Sequence, residues 1–251
     1  KIETSAFDPM VDTDELMQEA EGALFEISRK NMRQDYTQID PVVRQAVDII
    51  QKASSNSTGL TGLPSGFTKL DDMTSGWQKS DLVIIAGRPA MGKTSFALSI
   101  AKNIAVGYRE SVALFSLEMN NVQLVDRLIS NVCEIEGKKI MNGQLSRDEW
   151  DRFDKRLSKL TGVPLYIDDT LGMSIFELRT KARRLVREKG VKLIMIDYLQ
   201  LMNASGARFG NRQEEVSTIS RSLKGLAKEL DIPVIALSQL NRTVENREGL
   251  E

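Results

Sequence analysis

Histidine is absent from the 251-residue sequence, and cysteine occurs once, at Cys133. Without histidine there is no His-based acid–base relay, no His-ligated zinc and no Ser-His-Asp triad. Proton transfer must fall to carboxylates, lysines or water. One cysteine allows no internal disulfide, which suits a reducing compartment; set among Leu128, Ile129, Val132 and Ile135, it reads as a buried filler. No stretch approaches the roughly 18 consecutive apolar residues of a membrane span, so no membrane partner is expected. Charge of one sign is also missing: 34 Lys and Arg balance 35 Asp and Glu, a net charge of −1. A small nucleic-acid-binding domain is often strongly basic, so the balance argues against that class while leaving room for a local basic channel. The sequence opens at Lys1 with neither an initiator Met nor a signal-peptide pattern, and is expected to be a piece of a longer protein.

What is present is the composition of a soluble globular protein, 41% hydrophobic and 27% charged, long enough for one large core or a core with a small appendage. The most informative stretch is Gly87-Arg88-Pro89-Ala90-Met91-Gly92-Lys93-Thr94, which fits G-x-x-x-x-G-K-[ST] without a mismatch. The apolar run 82–86 before it reads as a buried strand, and Ser95 to Ala101 after it as the start of a helix. A strand, a glycine-bounded loop and a helix N-terminus aim backbone N–H groups and the positive end of a helix dipole at one point, which is a geometry for phosphates. Lys93 would neutralise the outer phosphates and the Thr94 hydroxyl would ligate Mg²⁺.

Residues 12–32 read as an amphipathic helix, with Asp12 and Glu15 in capping-box position, and Asp40-Pro41 opens a second helix with Val43, Val47 and Ile50 as its stripe. Residues 53–66, small, polar and glycine-rich, read as a flexible arm. The expected division is thus 1–52 for subunit-docking helices, 53–66 for the arm and 67–251 for the main domain. A strand–helix alternation follows, with strands at 82–86, 112–117, 163–167, 191–197 and 232–238. Helices are expected at 93–106, 121–136, 146–160, 174–189 and 212–230. Ser146 with Glu149 and Ser174 with Glu177 form capping boxes, and Gly190 is a C-cap. Near-continuous apolar strands between helices predict an α/β fold with a mostly parallel sheet covered on both faces, and function at the carboxyl ends of its strands.

Those strand ends carry chemistry. Leu193 to Ile196 terminates in Asp197, placed to hold Mg²⁺ through water or through Thr94. Tyr198 follows, not an acid, so the water-activating base is sought elsewhere; Glu118, ending the apolar run from Val112, fits that role. Gln239 ends the last strand, where it can hydrogen-bond a γ-phosphate. Between Asp197 and residue 212, a loop with Arg208, Phe209 and Arg212 could grip and stack on a phosphodiester strand, or simply be a solvated loop. The basic run 181–189 reads as a solvated face, and Trp77 and Trp150 as packing residues.

Taken together, Gly59 to Phe67, Gly87 to Thr94, Phe115 to Met119, Ile196 to Leu201, Asn211 to Val216 and Leu237 to Arg242 resemble the ATPase domain of the DnaB family of bacterial replicative DNA helicases. The resemblance implies a RecA-like P-loop NTPase fold preceded by a helical linker, a hexameric ring around single-stranded DNA, and 5′-to-3′ translocation driven by hydrolysis of ATP with Mg²⁺ in the bacterial cytoplasm. It assigns phosphate, metal and water roles to Lys93, Thr94, Asp197, Glu118 and Gln239, and matches the 12–32 helix to the family's linker helix. Primase and a helicase loader are its implied partners, through parts outside this sequence. The family's arginine finger and a DNA-contacting loop would lie beyond Glu251, so the sequence alone is expected to bind nucleotide and turn it over poorly. Two rival readings stay open: another RecA-like ATPase of recombination or repair, and a nucleotide-gated ring scaffold that does not unwind DNA.

Overall fold

The computed structural model describes residues 38–54, 59–203 and 212–240. The expected helix at 12–32 and the loop residues Arg208 and Phe209 lie outside them. The chain divides into two compact units, Lys1–Ser55 and Asn56–Glu251. The described part of the first is one helix, α1 (Ile39–Ser54), with Pro41 in its first turn, where a missing N–H costs nothing. Val43, Val47 and Ile50 recur at helical spacing along it and are exposed.

The second unit begins with α2 (Thr68–Thr74) and then builds one five-stranded parallel sheet. Its strands are β1 (Leu82–Gly87), β2 (Val112–Ser116), β3 (Leu165–Asp168), β4 (Leu193–Asp197) and β5 (Val234–Gln239), in the spatial order β1-β5-β4-β2-β3. The helices between them are α3 (Lys93–Lys102), α4 (Asn121–Cys133), α5 (Gly137–Asn142), α6 (Arg147–Leu157), α7 (Ile175–Lys189) and α8 (Arg212–Leu230). A π-helical turn, Asn103–Gly107, extends α3.

Period-two alternation along the strands divides the interior in two. Ala113, Phe115, Ile194, Ile196, Val234 and Ala236 face a core completed by Leu178 and Ala182 of α7 and Ile219, Leu223 and Leu226 of α8. Val112, Leu114, Leu193, Met195, Ile235 and Leu237 face the opposite core, with Leu98 and Ile100 of α3 and Leu124 and Leu128 of α4. This is the α/β sheet covered on both faces that the apolar strands predict. The chain runs from β1 across to β2 and β3, then returns through β4 and β5 to pair with β1. That reversal gathers the carboxyl ends of β1, β5, β4 and β2 along one edge, where a doubly wound sheet opens a crevice.

Several boundaries differ from those read off the sequence. β3 and β5 start after Pro164 and Pro233, which lack the N–H a ladder needs. The 121–136 helix stops at Cys133 because Glu134 takes a left-handed conformation (φ 55°), and a separate α5 follows. The 53–66 segment is not an arm throughout: α1 runs to Ser54, Leu63 bridges Trp77, and the buried Ser65 donates its N–H to Asp71 at 2.7 Å. Of the two expected capping boxes, Ser146 and Glu149 form theirs in full, whereas Glu177 turns to Lys181 and leaves only the Ser174 half. An unforeseen box, Asn120 with Gln123, starts α4. Gly190 caps α7 as expected. Cys133 and Trp77 are buried, while Trp150 is nearly half exposed and packs edge-on against Phe153. The basic face of α7 is partly paired, Arg179 and Arg183 with Glu229 and Lys181 with Asp168 and Glu177, while Arg184 and Lys189 are exposed as a solvated face would have them.

Candidate functional site

The phosphate loop leaves β1 at Gly87 and enters α3 at Lys93. Its two framing glycines serve different ends. Gly92 is the N-cap of α3 with φ 83°, a backbone state that costs a side chain strain. At Gly87 a Cβ would lie 3.2 Å from Cγ of Lys93, so any larger residue would press on that side chain where it lies back over the loop. It does so here: the Lys93 ammonium donates to the carbonyls of Gly87 at 2.8 Å and Arg88 at 2.9 Å.

At the second residue of α3, Thr94 Oγ1 donates to Asp197 Oδ2 at 2.7 Å, joining residues 103 apart in sequence. Asp197 is buried, and burial pushes its pKa above the ordinary carboxylate value; the Thr94 hydrogen bond opposes this, the charge of Glu118 adds to it, and Lys93 and Arg127 oppose it. Next to β4, β2 ends at Ser116, fully buried, whose hydroxyl donates to the Met119 carbonyl at 2.7 Å and accepts the Met119 N–H at 3.2 Å. The Leu117 N–H donates to the Asp197 carbonyl at 2.7 Å. These bonds hold the turn that presents Glu118, itself exposed. Gln239, at the end of β5, stands beside Gly87 in the sheet register.

Lys93, Thr94, Glu118, Asp197 and Gln239 all line one cavity of about 620 Å³, together with Pro89, Ala90 and Gly92 of the loop. The same cavity is lined by Gln123 and Arg127, which sequence reasoning missed. Their signal was available: two polar residues at i and i+4 on the first turns of the helix that follows Glu118, flanking the apolar stripe carrying Leu124 and Leu128. Gln200 lies within the stretch Ile196 to Leu201, where sequence alone marks no role for it; its carboxamide binds the end of β5.

Arg212, expected from the sequence to bind DNA, is engaged within the protein in this structure. Its guanidinium is bound to Glu215 and to the carbonyls of Gln200 and Met202. In this structure it braces the chain after β4 instead of standing free. Arg208 lies outside the described residues.

A buried carboxylate bonded to a helix-N-terminal threonine, an ammonium over a glycine loop and a second carboxylate across the crevice form a donor set for a triphosphate and a divalent cation. Among the described residues no group of three or more acidic, Cys or His side chains forms a metal cage. Mg²⁺ bound with phosphates needs none, because it takes one or two protein ligands and keeps several waters.

Residues 62–250 match the family model described as the DnaB-like helicase C terminal domain. The chain belongs to this family. It is 44% identical over 237 residues to the replicative DNA helicase DnaC of Bacillus subtilis (strain 168), covering 94% of this chain and 52% of that protein. It is 45% identical over 235 residues to the replicative DNA helicase DnaB of Geobacillus stearothermophilus, with the same two coverages, 94% and 52%. The chain therefore spans about half the length of these curated relatives. Among solved structures, an isolated ATPase domain superimposes with a TM-score of 0.77 at 38% identity, over 85% of this chain and 75% of that one. A DnaB-like replicative helicase, solved to describe its interactions with primase, gives 0.75 at 38% identity, over 93% of this chain and 56% of that one. The DnaB-like domain thus shares a RecA-like ATPase fold with both, as the sequence motifs imply.

Proposed function

We propose that this DnaB-like domain is the ATP-hydrolysing motor of a replicative helicase that moves 5′-to-3′ on single-stranded DNA and unwinds duplex at the fork. The observation that carries the reading is the convergence of Lys93, Thr94, Asp197, Glu118 and Gln239 on one cavity at the carboxyl edge of the sheet. Backbone N–H groups of residues 87–94 and the Lys93 ammonium bind the phosphates of ATP, the ammonium exchanging two carbonyls for phosphate oxygens. Thr94 and Asp197 hold Mg²⁺, which supplies charge neutralisation to the β- and γ-phosphates. Glu118 accepts the proton of the attacking water, and Gln239 hydrogen-bonds the γ-phosphate.

The membership in this family supports a homohexameric ring in the intact protein, acting in the bacterial cytoplasm. A relative solved to describe its interactions with primase supports primase as a partner; a loader is the further partner that the family resemblance implies. The 1–52 helices dock on a neighbouring subunit, the Gly- and Ser-rich stretch before Gly62 gives them reach, and Arg208 and Arg212 contact the DNA backbone. The test is phosphate release and strand separation by the intact protein on forked DNA. Hydrolysis stimulated by single-stranded DNA, with unwinding only of forks bearing a 5′ tail, is expected. Strand exchange without fork unwinding would assign the domain to recombination, and nucleotide binding without turnover to a scaffold.

A further inference from the structure

We infer that Gln200 is a positioning residue for Gln239, acting as a side-chain substitute for a missing strand. β4 and β5 pair only from Ile194 with Val234 to Ile196 with Ala236. β4 ends at Asp197 and the chain turns into a 3₁₀ turn, Leu199–Leu201, so the last residues of β5 run on past that pairing. On its other side β5 stays paired with β1 as far as Gly87 beside Gln239.

Gln200 fills the gap. Its Nε2 donates to the Gln239 carbonyl at 3.0 Å and to Ser238 Oγ at 2.9 Å, and its Oε1 accepts the Gln239 N–H at 3.2 Å. A donor and an acceptor offered together to the main chain of one residue are what a strand neighbour provides, here from a carboxamide. The main chain of Gln239 is thereby gripped between the first glycine of the phosphate loop and the turn that follows Asp197. The tie continues: the Gln200 carbonyl accepts from Arg212, the first residue of α8, whose guanidinium also binds the Met202 carbonyl at 3.3 Å. A continuous hydrogen-bonded path therefore runs from Gln239 in the nucleotide cavity to the start of α8. Losing the carboxamide frees the end of β5 on one side and lets the Gln239 side chain drift from the place where it meets a γ-phosphate.

The inference rests on the reading of Gln239 as the γ-phosphate contact. The experiment compares Gln200→Ala, Gln239→Ala and the double variant in the intact protein, measuring the Kd for a fluorescent ATP analogue, kcat and KM for ATP with and without single-stranded DNA, and the Tm. Gln200→Ala is expected to keep Kd and KM within about twofold and to lower kcat about tenfold or more, as small misplacements of a reacting group do. The double variant should be no slower than Gln239→Ala alone, because Gln200 acts through Gln239. Gln200→Glu keeps the side-chain length and the Oε1 acceptor, and replaces the alanine variant should that one fail to fold. An unchanged kcat, additive losses in the double variant, or a raised Kd together with a lowered Tm and kcat would overturn the inference. If DNA fails to stimulate the unmodified protein, the helicase reading falls, and the DNA-free kcat comparison still decides the role of Gln200.

Discussion

Asp197 and Lys93 bear opposite burdens in the nucleotide-free pocket: the carboxylate is buried, and the ammonium is satisfied by two carbonyls of its own loop. A carboxyl whose folded pKa lies above its unfolded value favours folding fully only below the unfolded value, and that favour is lost as pH rises through the folded one. At neutral pH its charge therefore costs stability. Asp197→Asn is expected to raise the Tm of the nucleotide-free protein at pH 7, while turnover falls by about 10²-fold or more. Calorimetry and phosphate release check the pair, and a lower Tm would mean that the Thr94 hydrogen bond outweighs the burial. Glu118 is exposed, so Glu118→Gln should leave ATP affinity within about threefold and cost about 10²–10⁴ in kcat, at about 1.4 kcal/mol per power of ten. Normal turnover in that variant would put the base elsewhere. At this scale the sequence made the meeting of Lys93, Thr94 and Asp197 legible, because each stands at a strand end or just after the loop that leaves one. Gln200 and Ser116 were silent, because what they bind is brought to them only by the sheet order.

Between elements, a sharp electrostatic feature is Glu149, which closes the capping box of α6 and reaches α5. Its carboxylate accepts from Lys139 Nζ at 2.7 Å and from the Ser146 N–H at 2.8 Å. The Lys139 bond first, then the Ser146 backbone, lower its pKa to about 2. A carboxyl depressed in this way contributes stability that is present above its ordinary value of 4.5 and lost as pH falls towards about 2. Glu149→Gln is expected to lower the Tm at pH 7, with the difference from the unmodified protein closing as pH is taken down through that window. Ser146→Ala, which removes the other half of the box, should cost about 1 kcal/mol at any pH in the range. Parallel Tm curves for Glu149→Gln and the unmodified protein between pH 5 and pH 3 would show that the carboxylate is not the titrating element. The box itself was legible, since Ser at the N-cap and Glu three residues on is a local code. That α5 exists at all was not: the break comes from Glu134 in a left-handed conformation with no glycine to announce it. Strand identity was legible from apolar runs, and strand starts were blurred where Pro164 and Pro233 look apolar but cannot donate.

For the molecule as a whole, ligand binding and assembly should separate. Mg·ATP analogue at about 100 times its Kd stabilises the folded state by about 2.7 kcal/mol. For a domain of this size, at about 2–4 °C per kcal/mol, that is a rise in Tm of about 5–11 °C. Lys93→Ala should abolish the rise, because the ammonium that trades carbonyls for phosphates is gone. α1 supplies the contrast. A 16-residue helix with Val43, Val47 and Ile50 exposed along it is marginal in water on its own and is stabilised by covering that stripe. If the stripe meets another subunit, replacing all three by Ser should weaken ring formation at least tenfold in sedimentation equilibrium of the intact protein. The nucleotide-induced rise in Tm of the second unit should persist, since none of the three lines the cavity. Rings that form equally well with the three serines would remove the docking role of α1, and a lost Tm response would mean that subunit contact is needed to complete the nucleotide site.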